Sequence, residues 1–422
     1  MRIKGAGVAA VAALLIAGCT ASPTPPTPSG EDGEITGTVS LWYLEDPDTA
    51  FMAAIKQGFE AKYPGTTVEL TELPEDGFVT KIDTALLAQQ PPDVAFIYEA
   101  RWMKAGQVMP LTDTIARYGI DTSTMNQVAL SECDLEGQLY CLGSLAGSVT
   151  LVYNKDEFDK AEVDYPSADT PWTIDEYAAA ARQLAAKRGG WGATAQAPFT
   201  WADRRTHFSD DGLKIQGYLD DEPTIHMYDT LTGLVRDGAA PPPATTDLAT
   251  GADLLADGQV AMAITDTEYA AAALAQAGNR WGVAPPPVEK AGDAPFVFVG
   301  TDKYGAFSDA ANPEAAKALV AFIATEGNRL RGDVSDKPPL DSRLHAAWAR
   351  DDEGRQETVK VMGLRNEPGL FVPGFWEVTA GLWDGFALMQ NGEANPRDAI
   401  PTEATAAQES LDREWQTWEE IQ

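Results

Sequence analysis

Apolar positions along the chain alternate between two periods. Thr38-Val-Ser-Leu-Trp-Tyr43 and Thr67 to Glu72 switch face at successive residues, which predicts strands. Between them Phe51, Met52, Ile55 and Phe59 share one helical face after a possible cap at Asp48, and Tyr63-Pro64-Gly65 stops the helix. A second helical stretch spans Gly77 to Gln89, Pro91-Pro92 ends it, and Asp93-Val-Ala-Phe-Ile-Tyr98 reads as a third strand. This β-α-β-α-β order predicts a mostly parallel sheet with helices on its faces.

The second half keeps the alternation with more helix. Thr150-Leu-Val-Tyr153 reads as a strand, and Thr173 with Glu176 forms a capping box for an Ala-rich helix to Lys187, closed by Gly189-Gly190. Asp247 to Asp257 is helical, and Val260-Ala-Met-Ala-Ile264 is a short buried strand. Asn312-Pro313-Glu314 starts a helix ending near Thr325, and Asn395-Pro396 starts another near the C-terminus. No internal repeat is visible, which argues against a solenoid.

The N-terminus departs from this pattern. Arg2 and Lys4 precede an uncharged run from Ala6 to Ala17, too short for a permanent membrane span but suited to a secretion signal. Ile16-Ala17-Gly18-Cys19 resembles a bacterial lipobox, which makes residues 1–18 the signal peptide and Cys19 the lipidated first residue of the mature chain. The stretch that follows, TASPTPPTPSGEDGEIT, is too poor in large apolar residues to fold, so residues 19–36 are expected to be a disordered spacer.

Charge narrows the partners. With 31 basic and 64 acidic residues the formal net charge is −33, which argues against nucleic acid or an anionic membrane surface as a partner. Beyond Cys19, Cys133 and Cys141 flank a turn-forming pair, Glu136-Gly137, and outside the cell such close cysteines pair most often as a disulfide across a small hairpin. His207, His226 and His345 are the three histidines, and none stands at ligand spacing from a cysteine, so no metal site is expected. The chain has no GxxxxGK[ST] loop, GxSxG elbow or HExxH helix, and no cofactor or catalytic residue is nominated.

Aromatic residues beside acids carry the remaining signal. Trp42-Tyr43-Leu44-Glu45-Asp46 closes the first strand, Tyr98-Glu99 the third, and Asp266-Thr267-Glu268-Tyr269 follows the strand at 260–264. Trp102, Trp201, Trp376 and Trp383 lie in loops or at helix starts. Ligands of open parallel sheets bind at the carboxyl ends of strands. There an aromatic face packs on the C–H face of a sugar ring while a carboxylate accepts from its hydroxyls. Each of these residues also has a plainer role, in a core or as a helix cap.

Several segments, in this order, resemble a known family. GTVSLWY…FMAAIKQGFEAKYPG, PPDVAFIY, QLYCLGSLAGSVTLVYNKDEF, PWTIDEYAAAARQLA, LADGQVAMAITD and NPEAAKALVAFIATEGN make the chain similar to the solute-binding proteins of bacterial ABC importers, the group that includes maltose-binding protein. The resemblance implies a two-lobed α/β fold of the type II periplasmic-binding-protein kind, each lobe a mostly parallel sheet flanked by helices. It implies an N-terminal lobe of 37–143 plus 297–330 and a C-terminal lobe of 148–290 plus 338–422. The crossovers would fall near Gly143–Ser148, Val288–Phe296 and Arg331–Pro339. The family's contacts map onto Trp42, Asp46, Arg101, Glu268 and Trp376 in PGFWEV, and the residues themselves add Tyr98, Glu99, Trp201 and Asp266. Two departures stand out. Glu268-Tyr269 occupies a place where the family often has Trp, and Gly143 to Ser148 carries neither aromatic nor acid.

The implied function is non-catalytic capture of a sugar, an oligosaccharide or glycoside, by a lipid-anchored monomer that hands it to permease subunits. A secreted glycan-acting enzyme built on carboxylate pairs is the second reading. The same fold holding a polyamine or peptide is the third, which the acidity would also suit.

Overall fold

Residues 35–45, 49–242, 248–335, 337–364 and 369–421 are described by the structure, a computed structural model. The signal peptide, Cys19, Asp46 and Asp48 lie outside the described residues. Within the expected spacer, Ile35 is packed into the first core.

The first sheet contains β1 (Gly37–Leu44), β2 (Thr66–Leu73) and β3 (Val94–Phe96), which run parallel in the order β3-β1-β2. Val39, Leu41 and Tyr43 point to one face of β1, where helix Thr49–Lys62 delivers Phe51, Met52, Ile55 and Phe59, all fully buried. Trp42 and Leu44 point to the other face, toward Phe78, Ile82 and Trp102. That is the period-2 geometry the sequence pattern requires.

Beyond β3, Cys133 and Cys141 are joined by a disulfide across the two-stranded hairpin of β4 (Asp134–Leu135) and β5 (Gln138–Leu139). Glu136 (φ 55°) and Gly137 (φ 80°) both adopt positive φ at its tip, which matches the right-handed twist of a tight hairpin.

The second sheet is organised by β6 (Gly147–Asn154), buried along its length after Gly147. It pairs antiparallel with β7 (Met262–Asp266) on one edge. Its other edge takes β8 (Trp281–Ala284) and then β9 (Phe298–Gly300), both also antiparallel. The mostly parallel sheet expected of each lobe therefore holds for the first sheet and needs correcting in the second. β7 and β8 run in one direction and are joined by helix Thr267–Gln276, as a β-α-β reading requires, but β6 lies between them and runs the opposite way. Hydrophobic period cannot register the direction of an inserted strand.

Asn154 ends β6 and caps helix Lys155–Ala161 by accepting from Asp156 N (3.0 Å) and Glu157 N (3.2 Å), the physical content of the YNKDEF motif. The capping box at Thr173 and Glu176 starts helix Ile174–Arg188 as its sequence predicts. The second core gathers Phe158, Tyr177, Phe208, Tyr228 and Phe386, and the antiparallel helices Phe375–Gln390 and Pro396–Glu420 close over it.

The chain then returns to the first sheet. β10 (Tyr304–Ala306) adds to β3 antiparallel, and Leu142 bridges Tyr304 while Leu145 bridges Pro339, so three passages of the chain lie side by side. The helix beginning at Pro313 does not stop near Thr325. A π turn at Ile323–Gly327 carries it into Asn328–Val334, which places Arg331 inside helix instead of in a crossover. Among the described residues no helix is long and apolar enough to cross a membrane.

Candidate functional site

Between the two sheets runs a cleft with two adjoining cavities of about 480 and 580 Å³. Tyr98, Glu132, Arg204, Lys303, Phe375 and Trp376 line both, so they form the waist where the cavities meet.

Trp376 projects into this waist because of the turn before it. Gly374 adopts φ 57° as the cap of helix Phe375–Gln390, and a Cβ there would stand 2.5 Å from the Glu414 carboxylate, so only glycine fits. The helix thus begins at the cleft wall with the Trp376 ring 48% exposed, held edge-on by Phe375 at 5.1 Å between centroids. Half-exposed tryptophan with one supported edge is a stacking surface for the apolar face of a ligand.

The wall opposite comes from the end of β3. Tyr98 donates to Glu75 Oε1 (3.0 Å), and burial together with that carboxylate raises the phenol's pKa. Glu99 lies beside it; burial pushes its carboxyl above the usual range, with Arg101 at 3.7 Å acting the other way. Arg101 also lines the larger cavity but gives its Nη2 to Asp83 at 2.7 Å, and Asp83 accepts from Trp102 Nε1 as well. Trp102 is buried in the first lobe and serves that pair.

At the inner end of the smaller cavity Asp266 ends β7 and Glu268 follows on the first turn of the next helix. Glu268 accepts from Ser148 N (3.0 and 3.1 Å) and Ser148 Oγ (3.1 Å), so the crossover that carries neither aromatic nor acid supplies donors instead. Burial pushes the Glu268 carboxyl up to about 7 against those hydrogen bonds. Tyr269 is exposed toward the cleft, with Lys337 Nζ 5.0 Å from its ring centre.

Two of the sequence candidates sit elsewhere. Trp42 faces away from the cleft beneath Lys81 (6.0 Å), and its neighbour Tyr43 lines the smaller cavity in its stead. Trp201 is 1% exposed in the second core, its Nε1 donating to Gln196 O (3.2 Å), while the adjacent Phe199, Thr200 and Ala202 reach the cavity. Both differences are one residue wide, since neighbours on a strand or tight turn point to opposite sides. Asp46 falls outside the described residues, though Glu45 just before it lines the cleft. Tyr43, Arg204, Lys303 and Glu132 were not singled out from sequence; Tyr43 alone carried a signal, as the inward partner of the Leu41 face. Among the described residues no group of three or more His, Cys, Asp or Glu is placed to hold a metal ion.

Two α/β lobes enclosing a polar, aromatic-walled cleft, with the chain crossing between them beside it, define a binding protein of the type II periplasmic class. The chain belongs to the bacterial extracellular solute-binding protein family, whose model matches residues 42–329. It is similar to an ABC substrate-binding protein of Listeria monocytogenes solved with cycloalternan, with a TM-score of 0.76 at 22% identity over 89% of this chain and 99% of that one. It is also similar to the GacH receptor of Streptomyces glaucescens, solved unliganded and with acarbose, with a TM-score of 0.75 at 22% identity over 90% and 99% of the two chains. The arabinooligosaccharide-binding protein of Bacillus subtilis is 26% identical over 176 residues, 40% of this chain and 39% of that one. The chain thus spans about two-fifths of the length of the curated relatives it matches.

Proposed function

We propose that this solute-binding protein serves an ABC importer: it captures a carbohydrate, an oligosaccharide or glycoside, between its lobes and delivers it to the permease. In this reading two lobes close by bending at their crossovers, with β9 going with the second sheet and not, as the bound at 297 expects, with the first lobe. The mature chain is held at the outer face of the cytoplasmic membrane through Cys19 and acts as a monomer.

The observation that carries the reading is the pairing across one cleft of the half-exposed Trp376 ring with the Tyr98–Glu75 hydrogen bond and the Glu99 carboxylate. An apolar plate on one wall and acceptors on the other suit a sugar ring, which has a C–H face and a hydroxyl edge. The oligosaccharides named for its relatives from Bacillus and Listeria support the same class.

A thermal-shift screen of the purified mature chain over di- to tetrasaccharides tests it, with chromatography of each mixture afterwards. Stabilisation with the sugar recovered intact is expected; release of a hydrolysis product would favour the enzyme reading instead. For the anchor, Cys19→Ala should move the protein from the membrane to the soluble fraction with ligand binding unchanged. Retention of that variant in the membrane fraction would remove the lipid from the account.

A further inference from the structure

Arg204 opens a single 3-10 turn, Arg204–Thr206, and stands at the waist where both cavities meet. Its guanidinium lies 4.1 Å from the centre of the Phe375 ring, and its Nη1 donates to Leu370 O at 2.9 Å. These contacts fix the plane of the group while using one of its five donors. Among the described residues no carboxylate comes within salt-bridge distance of it; Glu132 and Asp203 act on it only through space. Partial burial draws its pKa below the ordinary guanidinium value, with Glu132 and Asp203 acting the other way, yet the group stays charged.

A second cation reaches the same waist from the other side. Lys303, between β9 and β10, lines both cavities with its Nζ 3.5 Å from Glu132, the residue preceding the disulfide. Of the charged residues that line both cavities, Arg204 and Lys303 are cations and Glu132 alone is an acid. The other acids line one cavity each: Glu45, Glu75, Asp266, Glu268 and Asp302 the smaller, and Glu99, Glu377 and Glu414 the larger, with Glu99 also acting on Lys303 through space. In a chain of net charge −33 this is a local inversion of sign, placed where the two lobes meet.

We infer that the solute carries an acidic group, a carboxylate or a phosphate, seated between Arg204 and Lys303, so that the ligand is an acidic glycoside in preference to a neutral sugar. The inference rests on the carbohydrate-binding reading above. Neutral hydroxyls would occupy Arg204's free donors but leave its charge uncompensated. A planar anion takes two parallel N–H bonds from the guanidinium and cancels the charge as well. The acidic surface repels anions at a distance, so such a ligand is held by the short-range pair and not by steering.

Calorimetry of the intact mature protein with matched pairs tests this: xylotriose against xylotriose bearing a glucuronate branch, and maltose against maltose 1-phosphate. The acidic member of at least one pair should bind about tenfold more tightly or better, and Arg204→Gln should erase that difference by weakening the acidic member far more than the neutral one. Which pair responds tells carboxylate from phosphate. Equal or tighter binding of the neutral members overturns the inference and leaves carbohydrate binding standing. The ligand-free melt supplies an independent reading. Arg204→Gln should lower the apo melting temperature only slightly, through the Leu370 and Phe375 contacts it gives up, because no protein counter-ion is lost. A large drop would mean that Arg204 is paired within the protein, and would overturn the inference even if no probe binds.

Discussion

Asp302 and Glu268 take hydrogen bonds from the two ends of one short crossover and finish in opposite states. Asp302 accepts from Ser144 N (2.6 Å), Leu145 N (2.8 Å) and Ser144 Oγ (2.7 Å), and it pairs with Arg331 at 2.9 Å. Arg331 is 2% exposed and lies against the Phe51 ring at 3.4 Å. Gly143 permits this density, since a Cβ there would stand 2.1 Å from Thr301 Oγ1 and 2.6 Å from Asp302 O. Glu268 receives Ser148 and its own backbone N–H and has no cation within salt-bridge distance among the described residues. One carboxylate lines the smaller cavity too, but it is paired with a cation and saturated by donors, so it holds the crossing passages together. The other keeps acceptor capacity and opens into the cleft. Charge compensation, more than position, separates the structural acid from the binding one.

The comparison breaks first at Asp302. Asp302→Ala would remove the carboxylate that pairs with the buried Arg331 and accepts from Ser144 and Leu145, so unfolding in denaturant should show a loss of about 3–5 kcal/mol. Adding Arg331→Met should restore part of it. A single variant as stable as wild type would show that the pair does not hold the crossovers.

Next in size is the disulfide that pins the wall beside Glu132. Replacing both Cys133 and Cys141 by Ser should cost about 2–3 kcal/mol in the chain-entropy model for so short a loop, read from the same denaturation curves.

Trp376→Ala sharpens the contrast from the cleft side. Losing one half-exposed stacking ring should weaken ligand binding by about 1–3 kcal/mol and shift the apo melting temperature little. An early-melting apo protein that still binds normally would assign the ring to its own lobe's packing.

The last test is a slope with pH at Glu268. Its carboxyl sits at about 7 in the folded state, above the usual 4.3 or so of the unfolded chain. Between those values the folded protein holds a proton that the unfolded chain has released. This contribution to stability therefore grows as pH falls from about 8 to about 5 and is lost as pH rises through about 7. The melting temperature of wild type relative to Glu268→Gln should rise over that fall, and a flat difference would mean that the carboxylate is solvated in the cleft.

Much of this was legible along the chain. Strand β1, the helix face of Phe51 to Phe59, the Thr173–Glu176 capping box and the Glu136-Gly137 turn are local devices, and each formed where its residues predict. Trp376, Tyr98, Glu99, Asp266 and Glu268 could be nominated because they stand at the ends of such elements, Arg101 came from the family resemblance, and all of them line the cleft. Trp42 and Trp201 show the limit. Their element ends were located well enough, but which of two neighbours faces the cleft depends on what packs behind, and in both cases an apolar core took the tryptophan.

By itself, then, the sequence determined where helices and strands begin and end, because caps, turns and hydrophobic period act over a few residues. Only the tertiary structure decided that β6 runs against its neighbours, that a π turn carries the helix on to Arg331, and that Arg204 and Lys303 meet at one waist. Those outcomes depend on groups 99 residues apart in the chain for Arg204 and Lys303, and 158 for Ser144 and Asp302. At such separations the partner of a charge is chosen by the fold, and no local pattern records the choice.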